Sequence, residues 1–242
     1  MEKIDINEGS GQSNGYIVYR IEKVDLKKGS ILTVEDNVCD HVLVLVFGEL
    51  IAPKQLKYLE DLNGFDFYRL KDSNLILNEN ALEGATVDLV VEEWGRMNGG
   101  KYFQYNQTFK GLWQGDVKIN NEKVSDWKII PLELKKQWVN ELKGWQNISK
   151  PLTDLAMYSS ILKIDNEPLD TFIDIRGWGK GMAFVNGFPL GRYAAIGPQR
   201  TLYLPGPFLN KAENQINFLE HFYAPADGLL KFSDKLAFED VH

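Results

Sequence analysis

A chain of 242 residues, 44% hydrophobic and 12% aromatic, carries ample apolar side chain for packed cores. That excludes wholesale disorder and suits one large β domain or two smaller ones. The net charge of −7 argues against a general binder of nucleic acid or anionic membranes. Residues 1–14 are polar and glycine-rich and read as a flexible lead-in. Tyr16–Ile21 is β-rich and opens the first strand, and Lys27-Lys28-Gly29-Ser30 turns the chain into Ile31–Val34. His41–Phe47 is short and apolar without alternation, as in a strand buried on both faces, and Gly48-Glu49 turns it. Residues 52–80, with Tyr58, Phe65, Phe67 and Tyr68, read as an insertion or an extra hairpin.

Ala85–Glu92 alternates and then runs apolar, and Trp94–Gly100 follows with three glycines that permit a tight loop. Lys110–Gly115 and Asp116–Ile119 read as turn and strand, Asn120-Asn121 as another turn, and Ser125–Ile130 as strand-like. From Pro131 the texture changes. Leu134, Trp138, Val139 and Leu142 recur at helical spacing among charged residues, predicting an amphipathic helix over about 132–143 that ends at Gly144. Residues 144–157 are loop-like, and the second domain begins near Tyr158, with Ser159–Ile164 its first clear strand.

The stretch from Leu169 to Pro207 organises that domain. Thr171–Ile175 is a strand, Gly177–Gly181 (GWGKG) a bend, and Met182–Val185 a second strand. Asn186-Gly187 suits a tight hairpin, because both residues accept φ > 0. Thr201–Leu204 and the alternating Asn214–Glu220 add strands, and the tail from Ala224 holds Leu229–Phe232, which can fold back on the sheet. A weak internal repeat links Val44–Gly48 followed by Thr86–Glu92 to Ala183–Gly187 followed by Gln215–Glu220. Two copies of one strand–turn plan fit two jelly-roll sandwiches better than one large barrel.

Several of these segments carry a resemblance. GWGKG, FVNGF, LGRY, GPQ-TLYLPGP and NQINFLE resemble the C-terminal part of family 35 β-galactosidases, and QSNGYIVYR, WGRMN, KGL and DWKIIPL fall upstream in the same order, covering roughly residues 12–222. That family usually has an acidic residue or Asn where this chain has Phe47. If a polar side chain normally caps that hairpin, the turn here must be organised differently. Glu93 and Gly99 likewise stand where the family more often has Asn and an aromatic. The resemblance implies that catalysis sits in an N-terminal TIM barrel whose two glutamates act as acid/base and nucleophile. This sequence begins where the accessory β-domains begin, so no residue in it inherits a catalytic role.

The residues themselves offer little chemistry. His41, His221 and His242 lack ligand spacing, so no metal site and no cofactor is expected. Cys39, the only cysteine, excludes an intrachain disulfide and reads as a small core residue rather than a thiolate. Glu92 and Glu93 are adjacent on a strand and point to opposite faces, so they cannot act as a glycosidase pair. Carbohydrate sites use a flat aromatic ring against the apolar face of the sugar, flanked by Arg, Asn, Asp or Lys reaching its hydroxyls. That pairing occurs at Trp94, Arg96 and Asn98, and at Trp178 and Lys180 with Asn186, Arg192 and Tyr193 nearby. The competing reading puts the tryptophans in the core, with Arg96 and Arg192 bracing loops and Asn186 shaping a turn. Asn106 and Asn147 head sequons that become glycan acceptors in a secreted parent.

The expectation is therefore an all-β chain: flexible lead-in 1–14, β-sandwich 15–131, helix and loop connector 132–157, and β-sandwich 158–242, both sandwiches jelly rolls of galactose-binding type. Its function is that of a non-catalytic accessory module that supports a glycosidase or binds galactosides. The alternatives are an interaction scaffold that docks a β-galactosidase barrel, a second copy of itself or another protein, and a fragment of an active enzyme. No apolar signal region and no membrane span occurs in the sequence as given. A fragment of a family enzyme would belong in the lysosome or outside the cell, and a chain that starts naturally at Met1 in the cytoplasm.

Overall fold

The computed structural model describes residues 1–36, 38–51, 66–67, 73–96, 109–112, 114–150 and 152–238. Among these, the residues up to Glu133 form one compact unit and those from Leu134 a second. Both are built of antiparallel sheets, so the all-β expectation holds. No helix among the described residues is long and apolar enough to cross a membrane.

The first unit contains β1 (Tyr16–Leu26), β2 (Ile31–Val34), β3 (Val38–Cys39), β4 (His41–Val46), β5 (Glu49–Leu50), β6 (Asp66–Phe67), β7 (Ser73–Ile76), β8 (Leu82–Glu92), β9 (Gly111–Leu112), β10 (Val117–Ile119), β11 (Glu122–Lys123) and β12 (Lys128–Leu132). Its larger sheet runs β12-β1-β8-β4-β5, with β6 also pairing β4; the smaller runs β11-β10-β2-β7, and β3 pairs β9. All six residues of β4 are buried, as the unbroken apolar run requires of a strand flanked by neighbours and covered on both faces. In β2 the alternation is clean: Leu32 and Val34 are buried, while Ile31 is exposed opposite Ile76. Most of residues 52–72, which include Tyr58, Phe65 and Tyr68, lie outside the described residues.

The second unit opens with α1 (Lys136–Asn140) and continues with β13 (Ala156–Ile164), β14 (Thr171–Asp174), β15 (Lys180–Val185), β16 (Phe188–Ala194), β17 (Thr201–Leu204), β18 (Ala212–Glu220) and β19 (Lys231–Ser233). One sheet runs β13-β18-β15-β16 and the other β17-β14-β19. Ile173 and Phe232 from the second sheet share a core with Ala183, Val185, Ile216 and Phe218 from the first, which makes the unit a sandwich. The tail does return: Phe232 of β19 pairs Ile173 of β14.

The helix is shorter than its periodicity predicts. β12 keeps Pro131 and Leu132 in register with Ile17 and Tyr16. Because β12 is an edge strand, Pro131 is tolerated there. Leu134 then takes φ +54°, which blocks a helix start before Lys136. Val139 is fully buried but Trp138 stays 42% exposed, so the apolar stripe is only partly used.

The polar lead-in is held against the first unit. Gln12 Nε2 donates to Tyr16 O at 2.7 Å, Lys110 N donates to Glu2 Oε2 at 3.0 Å, and Met1 and Gln12 are buried.

The internal repeat becomes a shared sheet order. In the first unit the long β8 lies between β1 and β4, and in the second β18 lies between β13 and β15. The hairpins after β4 and β15 correspond as well. Asn186 (φ +50°) and Gly187 (φ +76°) make the two-residue turn, and Asn186 N donates to Gln215 O on β18 at 2.8 Å. Phe47 (φ +52°) and Gly48 (φ +83°) make the same backbone turn, with Phe47 N donating to Thr86 O on β8 at 2.9 Å. The turn without a polar side chain is thus not reorganised. It forces a 55% exposed phenylalanine into the left-handed region. Phe47→Asn is expected to stabilise the first unit by about 1 kcal/mol, because Asn accepts that conformation far better. Urea unfolding of the variant against the parent chain checks this, and an unchanged midpoint counts against it.

Candidate functional site

In the first unit, Trp94 lies two residues past the end of β8 and is half-buried. Its Nε1 donates to Glu92 Oε2 at 2.8 Å, its backbone N to Asp40 Oδ2 at 2.7 Å, and its ring stacks on His41 at 5.8 Å. The buried Lys110 ammonium donates to the same Asp40 oxygen at 2.6 Å, and Arg96 pairs with Glu2. The loop after β8 is therefore tied to the start of β4, the segment before β9 and the lead-in. Asn98 lies outside the described residues, as do Asn106 and His242. Next to this network, burial foremost, reinforced by the Asp40 carboxylate, pushes the Cys39 thiol up to about 11, far from a reactive thiolate.

In the second unit, Trp178 and Tyr193 are brought together, but facing inward. Lys180 is buried on the opposite face of β15 from Ala183 and Val185 and reaches the group through its backbone N–H. Trp178 is 5% exposed, stacks on Phe218 at 4.4 Å, and meets Tyr158 and Tyr193 edge-on at 5.4 and 6.4 Å. Asn186 shapes its turn and braces the neighbouring loop: its Nδ2 donates to Phe208 O at 3.0 Å and to Asn214 Oδ1 at 2.9 Å. Arg192 stands apart, exposed on the edge strand β16 opposite Met182.

At the centre of this inward group sits Glu220, fully buried, which the sequence reading did not single out. Its Oε1 accepts the backbone N–H groups of Lys180 (3.1 Å), Phe222 (2.8 Å) and Tyr223 (3.2 Å). Its Oε2 accepts Gly179 N at 3.0 Å and the Tyr193 hydroxyl at 2.9 Å. Burial pushes the carboxyl up while the five donors pull it down, and the balance leaves it at about 7. With every acceptor direction facing the protein, this carboxyl clasps the GWGKG bend to the end of β18. A signal for it was present in the sequence. Along the alternating β18, Glu220 has the parity of Ile216 and Phe218, the positions that face the core.

The described surface offers two larger concavities. One, of about 700 Å³, lies in the first unit beside the outer half of β1 and is lined by interleaved charges, among them Arg20, Lys23, Asp25, Lys123 and Asp126, with no aromatic residue. The other, of about 880 Å³, lies in the second unit between residues 167–170 and 206–211. Asn147 stands in an exposed stretch after α1.

Fold and site together define a tandem pair of all-β modules whose polar anchors hold loops in place. The chain belongs to the beta-galactosidase family: residues 8–133 match the model of the beta-galactosidase first all-beta domain, and residues 155–214 that of the beta-galactosidase galactose-binding domain. It is 34% identical over 227 residues to human beta-galactosidase-1-like protein 2, covering 93% of this chain and 32% of that protein. Mouse beta-galactosidase-1-like protein 3 is 31% identical over 91% of this chain and 31% of its own length. Human beta-galactosidase is 37% identical over 64% of this chain and 25% of its own length. The chain thus spans about a third or less of the relatives it matches. The resemblance to their accessory β-domains holds in both halves.

Proposed function

We propose that this chain is a non-catalytic accessory module of the β-galactosidase type, whose second unit contributes carbohydrate binding to a glycosidase. The observation that carries this reading is the pair of matches. Each compact unit corresponds to an accessory all-β domain, and the second to one described as galactose-binding. The internal anchoring of Trp178, Tyr193 and Glu220 fits a module whose sequence motif serves its own fold. The chain alone is expected to show no turnover of an aryl β-galactoside. Hydrolysis by a homogeneous preparation, abolished by replacing a carboxylate within the chain, would overturn the proposal.

A second reading, a scaffold that docks a catalytic barrel or another protein, is favoured by one stretch. Trp138, Trp145, Ile148 and Leu152 are all 42–48% exposed. Large apolar side chains concentrated in this way are common at interaction surfaces. Substituting Trp145 and Ile148 by serine separates the readings: loss of a co-purifying partner supports docking, and unchanged glycan binding beside it supports the first reading.

A further inference from the structure

We infer that the groove between residues 167–170 and 206–211 is the glycan-binding surface of the second unit, taking a neutral hexopyranoside; this rests on the carbohydrate-binding reading above. None of the candidate sugar-binding residues read from the sequence lies in it. The groove combines the two kinds of surface that a pyranose requires. Pro168, Leu169 and Pro207 give it apolar walls, and Leu169 is 76% exposed. Glu167, Asn210 and Lys211 also line it, and among the described residues their side chains have no partner within the protein. An acid, an amide and an ammonium around apolar walls match a ligand that offers hydroxyl donors and acceptors on its rim and C–H groups on its face. The mixed charge does not select a strongly anionic or cationic ligand.

The walls are fixed in advance. Asp170 accepts Gly206 N at 2.8 Å and the Tyr203 hydroxyl at 2.5 Å, which links the two loops and ties the hydroxyl of the 48% exposed Tyr203 to a residue of the groove. On the other side, Asn210 N donates to Asn214 Oδ1 at 2.6 Å, and Asn186 holds Phe208 O. Phe208 in turn packs on Phe188 at 4.5 Å, both rings more than a third exposed. A pre-organised polar site spends little of its binding free energy on ordering loops. By contrast, the first unit's concavity is lined mainly by interleaved charges, and Trp178 is buried in the core.

The test is an amide NMR titration of the full chain with methyl β-galactopyranoside, with methyl β-glucopyranoside as a second probe. Expected are saturable shifts at Gly206, Leu209, Asn210 and Lys211. The Asn210→Ala and Lys211→Ala variants, whose side chains are exposed and leave the melting temperature in place, should weaken binding about tenfold each. Saturable shifts that map to the first unit, or that both variants leave unchanged, overturn the groove assignment while carbohydrate binding stands. No shift with either sugar overturns the groove and the carbohydrate-binding reading together.

Discussion

Gly181→Ala is expected to prevent the second unit from folding while leaving the first intact. Gly181 sits on β15, where a Cβ would lie 1.8 Å from Leu219 O and 2.9 Å from the Tyr193 hydroxyl. The first of these is backbone of the central strand β18, so nothing flexible can give way. Accommodating the methyl group would require β15 and β18 to separate along a register that runs from Gly181↔Glu220 to Val185↔Ile216. Overpacking a core costs about 1–3 kcal/mol when side chains can adjust, and the rigid backbone here places the cost above that range. Gly191→Ala is the control. It lies on β16 of the same sheet with nothing within 4 Å of its added Cβ, and it should be close to neutral. Circular dichroism melts should show one transition lost or strongly lowered for Gly181→Ala and none moved for Gly191→Ala. Two native-like transitions in Gly181→Ala would refute the close approach.

The second large effect concerns pH. Glu220 holds its proton up to about pH 7 in the folded chain, whereas an ordinary glutamate releases it near 4.5. Between those values the folded state binds a proton that the unfolded state has lost, so the stability that Glu220 contributes is complete below about pH 4.5 and declines as pH rises towards 7. Integrated over the shift, the loss is on the order of 3 kcal/mol. Another ionisable group, the Tyr193 hydroxyl from β16, donates to the same carboxyl, and charged groups elsewhere in the chain add their own pH dependence. The clean observable is therefore the difference between the parent chain and Glu220→Gln, in which their contributions largely cancel. The amide places N–H groups where Gly179 N and the Tyr193 hydroxyl need an acceptor, which costs about 1–3 kcal/mol at pH 5. The gap should narrow steadily towards pH 8 as the parent loses its share. A gap that widens with pH would show that the five donors outweigh burial, and the carboxyl would then titrate below its usual range.

The sheet elements were largely legible because their signals are local. Asn186-Gly187 and Asn120-Asn121 carry the chemistry of turns with φ > 0, and both form them. Thr201–Leu204 and Ile31–Val34 were bounded by breakers on each side and match the observed strands end to end. The helix was over-read because the spacing of Leu134, Trp138 and Leu142 says nothing about the strand pairing that claims Pro131 and Leu132 first, or about the φ of Leu134. Phe47 shows the reverse case. The backbone plan of the hairpin prevails over an unsuitable residue, because β4, β5 and β8 fix the register around it.

The site was less legible for a physical reason. Tryptophan, lysine and tyrosine within a glycine-rich bend look the same in sequence whether they face solvent or core. Only their parity relative to Ala183, Val185 and Phe218 decides, which puts Tyr193 on the core face and Lys180 on the other. The packing of that core face depends on the close approach that Gly179 and Gly181 permit. With Cβ atoms at those positions, contacts of 2.7 Å to Glu220 Oε1 and 1.8 Å to Leu219 O would result. The motif therefore reads as a ligand site until the carboxyl it wraps is recognised. The Glu167–Lys211 groove is not legible in sequence because its two walls are more than thirty residues apart and, among the described residues, none that lines it is aromatic.

The interleaved strand order has a consequence for how the chain is made. In both units the strand that supplies the central ladder is made after the two strands it joins: β8 follows β1 and β4, and β18 follows β13 and β15. A nascent second unit that has emerged only as far as Asn210 holds two long strands with no ladder between them, so it cannot close stepwise behind the ribosome. Pairings that span so much sequence are slow to form. Until residue 220 has left the exit tunnel, the exposed edges of β13 and β15 invite pairing with other chains.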